Sequence, residues 1–407
     1  MRSLLSLLLI SCLAHTGCSP STLESDAKIL SRPWAEISQS ARLKTVKMAM
    51  WDGDPLINAY MRDFVAVRLK ELHGIELQLI GGQGDSLVNK LTVDLEVGRT
   101  RGDFDVLWIN GETFYQLRKL KALFGPYTDK LSNAEFIDWE NRFIAFDFQQ
   151  PVEGLECPWG NVQLALIYHP ARVPEPPKTL DELSMWIKSH PGRFTFDNSF
   201  TGMTFLKSLL YALASDEGAL SGPFNEASYQ KESEKLWNHL LELKPYLWRK
   251  GETFPEGVAQ LHQLFMNGEV DFSMSNNDGE VDNKAVQGII PNESRAFVLD
   301  SGTIRNSHYL GIPFNAPNKE AGLVLVNFLI SPEAQLKKAL PEVWGDGSVL
   351  DTAKLSDEYR KQFEQLPGRV RVAPRAELEK HALMEPAPEW MIRLHDDFRK
   401  RIIEVGQ

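Results

Sequence analysis

Three short strand-like runs in this chain of 407 residues break off in groups able to hold a small polar molecule. Val46 to Trp51 runs into Asp52-Gly53-Asp54, Val106 to Ile109 into Asn110-Gly111-Glu112, and Val270 to Ser275 into Asn276-Asn277-Asp278. Each run is too brief for an ordinary helix. Indole faces attract cations, and amide and carboxylate oxygens accept hydrogen bonds, so these acceptor-rich ends favour a neutral or cationic ligand over a free oxyanion. Trp51, Asp52, Asp54, Asn110, Glu112, Asn276, Asn277 and Asp278 are therefore candidate ligand contacts. Plainer readings stand beside them: Asp54 caps a helix, Asp52 is solvated, Trp51 packs beneath a hinge, and Asn276 to Asp278 cap their own backbone in a turn. Trp108, inside its strand, is expected in the core.

Further candidates come from turns and helix starts. Gly82 lies in Gly81-Gly82-Gln83-Gly84 before a helix, where backbone amides can cradle an anion or turn geometry alone explains the glycines. Trp159 and Asn161 open an apolar strand reaching Tyr168, where the first crossing between lobes is expected. Asp197 follows a short strand expected over 194–196, and Thr201-Gly202 offers amides at a helix start. Tyr309 lies on a strand expected over 307–313. No HExxH, CxxC, Walker or GxSxG sequence occurs, so no catalytic residue, metal ligand or cofactor is assigned. His169, His262 and His308 are scattered and read as surface or hinge residues. The pair Asp52 and Asp54 keeps an exported hydrolase, acting for example on glycosides, as the alternative.

The elements that must carry these groups alternate. Strand 46–51 leads into a helix over 55–73, opened by Asp54 and Pro55 and stopped at Gly74. Strand 75–80 leads through the glycine turn, with Asp85 or Ser86 as cap, to a helix with Leu87, Leu91 and Leu95 on one face; strand 106–109 follows. This β-α-β-α-β order predicts a parallel sheet whose ends bearing Asp52, Gly82 and Asn110 share one edge, where open α/β sheets bind ligands. Glu112 continues into a helix to Leu123. Thr179-Leu180-Asp181-Glu182 predicts a capping box, and helices follow over 203–214, 226–243, 255–267 and 318–330, with Ser331-Pro332-Glu333 opening another.

A chain this long exceeds the roughly 250–300 residues that one core sustains, so two lobes are expected. A net charge of −11 without any basic block argues against a nucleic-acid partner. Met1-Arg2 and the apolar stretch from Ser3 to Ala14 read as an export signal, too short to span a bilayer. Cys12 and Cys18 each end a stretch similar to a lipoprotein lipobox; Cys18 is preferred for lipidation, and a plain cleaved leader is the alternative. Cys157 then remains as the one cysteine of the body, which leaves no internal disulfide. Residues 19–43 are aperiodic and are expected to be a tether. An adhesion or scaffolding protein would need large exposed apolar patches, and the amphipathic helices leave few.

Two passages carry a resemblance. The strand ending at Pro313, followed by Asn315-Ala316-Pro317-Asn318-Lys319-Glu320-Ala321 and then by Asn327-Phe328-Leu329-Ile330-Ser331-Pro332-Glu333-Ala334-Gln335, resembles the second crossover of the extracellular solute-binding proteins of ABC importers. Met48-Ala49-Met50-Trp51 and the stretch Asp105 to Glu112 are similar to a thiamine-transport branch of that family. The likeness covers about 45–400. It implies a periplasmic binding protein-like α/β fold, with two α/β lobes joined by crossover segments and a ligand cleft between them. The expected division is 1–18 leader, 19–43 tether, 44–158 plus 301–345 first lobe, 159–300 second lobe, and 346–407 C-terminal helices. The implied role is capture of a small solute, thiamine or another organic cation, for an ABC permease in the inner membrane. The protein is then a non-enzymatic monomer in the periplasm or a lipoprotein facing it. A polyamine, a sugar or a ferric ion stays open as ligand.

Overall fold

The structure, a computed structural model, describes residues 25–216 and 218–404. The expected leader over 1–18, with Cys12 and Cys18, lies outside them. Strands β1 (Thr45–Met50), β2 (Glu76–Gly81) and β3 (Val106–Ile109) form the predicted parallel unit, with β1 between the other two. Asp54 opens the helical segment between β1 and β2: its Oδ1 accepts from the backbone N–H of Leu56 and Ile57, and Pro55 fills the first helical position. The helix runs Pro55–Ala59, changes to a π segment over Tyr60–Val65, continues as Ala66–His73, and ends at Gly74 with φ 66°. That backbone conformation is open to glycine at little cost. Helix Asp85–Glu96 joins β2 to β3, and helix Gly111–Lys119 follows β3.

Strand β4 (Glu156–Gln163) is followed, after Leu164 alone, by β5 (Ala165–Tyr168). The single strand expected over 161–168 is therefore two strands in two sheets; Leu164 between them still donates its N–H to Ile304 O, on the strand that pairs with β4, at 2.9 Å, and the next residues pair in the second sheet. Strands β6 (Phe272–Ser275) and β7 (Arg295–Phe297) flank β5 antiparallel, making a three-stranded second sheet. Strand β8 (Thr303–Gly311) returns antiparallel to both β3 and β4, and β9 (Ala382–Leu383) completes the six-stranded first sheet. Through Leu164 the chain passes from β4 of the first sheet directly into β5 of the second.

The cores follow the sheets. Val46, Met48 and Met50 enter one core while Ala49 enters the layer on the opposite face, the alternation that a strand imposes. A separate core surrounds the second sheet, and its largest members include Trp237, Phe196, Phe205 and Phe272. The C-terminal segment divides between the bodies. Helix Asp357–Glu364 lies against Pro332–Ala339, whereas helix Pro388–Phe398 packs into the second core, with the Phe398 ring 5.6 Å from Phe196 and 5.0 Å from Phe254.

Three expectations are corrected. The tether is, from residue 26, two helices, Asp26–Ser31 and Trp34–Ala41; Ile29, Ile37 and Ala41 are buried in the first core, and Asp26 and Arg32 pair with Lys319 and Glu320 at 2.6 and 2.7 Å. Its few apolar residues make too short a pattern to stand out among charges, yet they suffice to cover helix Lys319–Leu329. Residues 194–196 are extended without joining a sheet, because their backbone groups serve loops instead: Phe194 O accepts from Trp248 N–H at 2.8 Å. The helix after β3 ends at Lys119, short of Leu123, which pairs with Pro313 in an isolated bridge. The capping box at Thr179 and Glu182 forms as expected.

Candidate solute-binding cavity

A cavity of about 440 Å³ is lined by residues from both bodies, within the roughly 300–1,000 Å³ usual for small-molecule sites. From the first sheet it takes Trp51, Asp54, Gln83, Asn110 and Glu112, all just beyond the C-terminal ends of parallel strands. From the second body it takes Ser275, Asn276 and Asn277 at and after the end of β6, and Ser199, Phe200 and Thr201 at the start of helix Phe200–Leu213. Asn306 and His308 of β8, with Trp344, complete it. The crevice at the C-terminal edge of the strands is where the β-α-β order places a ligand.

The charged groups of this wall are not equivalent. Asp54 Oδ2 accepts from Lys284 Nζ, which also stands 3.4 Å from Glu280. Burial opposes the ionisation of Glu280, yet the Lys284 ammonium and hydrogen bonds from His262 and Ser275 hold its carboxyl well below the usual range. Burial likewise opposes the Lys284 charge, and Glu280 with Asp54 outweighs it, so the ammonium is held above the ordinary lysine value. Glu112 differs: its Oε2 is buried without a hydrogen-bond partner, and burial pushes the carboxyl up to about 7. Asn276 donates to Thr201 Oγ1 at 3.1 Å, and its Oδ1 is unpartnered. Asn277 Oδ1 accepts from Gly279 N–H at 2.9 Å, and its Nδ2 has no acceptor. Asn283 donates to Trp344 O at 2.5 Å and keeps a free Oδ1.

Of the residues singled out in the sequence, Trp51, Asp54, Asn110, Glu112, Thr201, Asn276 and Asn277 line this one cavity. The others stand elsewhere. Asp52 is exposed and uses its backbone carbonyl to accept from Asn58, and Gly82 gives its N–H to Met50 O while its neighbours Gln83 and Gly84 reach the cavity. Trp159 is fully buried behind Trp108 and Trp344, with ring centroids 4.9 and 5.4 Å away. Asn161 is buried between β4 and β8, donating to Ser307 Oγ at 2.9 Å and accepting from Arg305 at 2.6 Å. Tyr309 sends its hydroxyl to the carbonyls of Ile144 and Phe146, 3.0 Å each. Asp197 turns back on Ser199, accepting from its N–H at 3.0 Å, and a side chain at Gly202 would collide with the Asp197 carbonyl. Asp278 points away into Arg369 and Arg375.

Sequence reasoning missed several members of the wall. Trp108, expected in the core, lines the cavity beside His308 and Trp344, whose rings stack on each other at 5.9 Å and 15°. Its position two residues before Asn110 was the available signal, since side chains on one strand face share a direction every second residue. Trp344 and Asn283 come from segments with no strand-end pattern. Among the described residues no helix is long and apolar enough to cross a membrane, and no group of three or more His, Cys, Asp or Glu side chains is placed to hold a metal ion.

The chain matches the family described as bacterial extracellular solute-binding protein over residues 65–366. Protein YnjB of Escherichia coli (strain K12) is 36% identical to it over 335 residues, which span 81% of this chain and 86% of that protein. Among solved structures, the spermidine/putrescine ABC transporter substrate-binding protein PotD from Streptococcus pneumoniae superposes with a TM-score of 0.61 at 16% identity, covering 88% of this chain and 98% of that one. The periplasmic binding protein AfuA from Actinobacillus pleuropneumoniae, with fructose-6-phosphate bound, gives 0.61 at 14% identity over 88% and 98%. Likeness at such low identity speaks to architecture, and the architecture is the two-lobed α/β fold of periplasmic binding proteins. With the family match spanning most of its length, this chain belongs to the bacterial extracellular solute-binding proteins.

Proposed function

We propose that the protein is the capture subunit of an ABC importer, closing its two lobes on a small organic solute, thiamine or another organic cation, and handing it to a membrane permease. No bond is made or broken. The observation that carries this reading is one cavity walled by strand ends of the first sheet and by the loop and helix start of the second body, with unpartnered polar atoms on both sides. Family membership supports the transport role. The free acceptors of Glu112, Asn276 and Asn283, together with the indole of Trp51, support a cation over an oxyanion. Asp54 is committed to a helix cap and to Lys284, which supports binding over acid–base hydrolysis.

On this reading Trp51, Asn110, Glu112, Thr201, Asn276 and Asn277 touch the solute. The β4–β8 pair is the hinge between a lobe of 44–158 with 301–345 and a lobe of 159–300. The chain acts as a monomer in the periplasm, free or anchored through a lipid at Cys18. A thermal-shift screen over imported-nutrient classes, thiamine and its phosphates included, tests the reading. A binder saturates at one equivalent, yields no product, and gains about 2.7 kcal/mol of stability at a hundredfold excess over Kd. Continuous turnover of a screened compound, or no stabilisation by any class, overturns it.

A further inference from the structure

We propose that the solute carries a single positive charge and that Glu112 is the residue that recognises it. The inference rests on the reading of the cavity as a solute site and narrows the class of solute.

Four carboxylates line the cavity: Asp54, Glu112, Glu256 and Glu280. Three are already answered. Asp54 gives one oxygen to the N–H groups of Leu56 and Ile57 and the other to Lys284. Glu280 is met by Ser275, Lys284 and His262. Glu256 is exposed at the rim, where water screens it. Glu112 alone among them carries a buried oxygen with no donor.

Its surroundings offer no substitute. Asp85 of helix Asp85–Glu96 and Glu385 of the C-terminal segment bring like charge, and Asp147 of the short strand Phe146–Asp147, whose own carboxyl burial raises well above the usual range, brings no positive one. Lys207 of helix Phe200–Leu213 is buried against Glu385 of the C-terminal segment at 2.5 Å, so its ammonium is already committed. A carboxylate buried without a partner is costly, so burial shifts the balance towards its protonated form and a cation shifts it back. Burial pushes this carboxyl up to about 7.

A second charge on the solute would find no second carboxylate in the same condition. The remaining unpartnered acceptors, Asn276 Oδ1 and Asn283 Oδ1, are neutral amides that take hydrogen bonds and supply no compensating charge. At the Asp54 and Glu280 end, a second ammonium meets Lys284, which stands between both acids. A metal ion is disfavoured too, since no metal-type cluster exists among the described residues. A monocation with a flat ring for Trp51 fits; a polyamine does not.

Titration calorimetry of the full-length mature protein tests this with three probes: thiamine, which carries one positive charge; putrescine, which carries two; and thiochrome, a neutral ring system of similar outline. The wild type is expected to bind thiamine at least about tenfold more tightly than putrescine or thiochrome. Affinity for thiamine should rise as pH increases through 7, because ionising Glu112 then no longer opposes binding. Glu112→Gln, nearly isosteric, should lose about tenfold or more for thiamine, flatten the pH profile and keep the thiochrome affinity. Putrescine binding as tightly as thiamine overturns the single-charge assignment, and an unchanged Kd in Glu112→Gln overturns the residue. That first comparison needs no variant and stands even if Glu112→Gln fails to fold. If a sugar or an anion binds and none of the three probes does, this inference falls while the solute-binding reading survives.

Discussion

At the scale of single residues, the cavity depends on one glycine as much as on the side chains it exposes. A Cβ on Gly53 would fall 2.7 Å from the Cε2, Cζ2 and Nε1 atoms of Trp51, well inside van der Waals distance, so Gly53→Ala must turn the indole out of its place. An aromatic face turned away from its partner forfeits about 0.5–1.5 kcal/mol, roughly a 2- to 12-fold weakening. Gly53→Ala and Trp51→Ala should both weaken thiamine binding in calorimetry by that order, with far-UV circular dichroism unchanged. Asp52→Asn should leave binding alone, because Asp52 is exposed and outside the cavity. A loss of affinity in Asp52→Asn equal to that in Trp51→Ala would place the charged neighbour, and not the ring, at the solute. The strand ends were legible because each apolar run stops at its polar group: Trp51, Asn110, Glu112 and Asn276 needed no structure to be found. Asp278, one residue beyond Asn277, was not, since the turn after β6 carries successive side chains to opposite sides, Asn277 to the cavity and Asp278 to two arginines.

Those arginines belong to an element that the sequence marks only as charged and helical. The segment from Arg369 to Arg375 crosses the loop after β6, and both guanidiniums meet Asp278 while Arg375 also donates to Asn161 O of β4 at 3.1 Å. Burial would raise the Asp278 carboxyl, but Arg375 and Arg369 outweigh it and hold it down at about 2. A group depressed in the folded state contributes stability above its unfolded pKa and loses it as pH falls towards the folded value. Asp278 should therefore contribute about 2 kcal/mol at neutral pH, lost between roughly pH 4 and pH 2. Asp278→Asn should lower stability in urea titrations at pH 7 by at least that amount, since two arginines then lack their acid. The gap between variant and wild type should narrow as pH drops towards 2. A gap that stays constant with pH would mean that packing, not charge, holds the segment. Elements with their own local rules were readable, such as the Asp54 cap, the Thr179 box and Ser331-Pro332, because a capping side chain serves backbone groups within three residues. The helices at 26–41 and this C-terminal crossing were not, because their partners lie far along the chain and no local pattern names them.

On the scale of the whole molecule, the chain passes between the two sheets at Leu164, and the two bodies meet again among the residues that line the cavity. Asp54, on the first body, pairs with Lys284 of helix Glu280–Val286 on the second, both nearly excluded from solvent. Next to that pair Asn283 donates to Trp344 O, and a Cβ on Gly279 would collide with Gly345 O, so backbone approaches backbone across the same gap. A buried ion pair between bodies resists separation, because opening must either hydrate both charges or strand one of them. Lys284→Met removes the ammonium that Asp54 and Glu280 share and leaves two carboxylates in one low-dielectric corner, at a cost of about 3–5 kcal/mol that opening relieves by admitting water. The variant should therefore show a larger radius of gyration than the wild type in small-angle scattering without ligand, with unchanged secondary structure. Paired with Asp54→Asn, which withdraws one of the two acids, it should recover part of the compact form. An equal radius in wild type and Lys284→Met would assign closure to the backbone approach at Gly279 and the Asn283 bond, and Gly279→Ala would then be the substitution that holds the bodies apart.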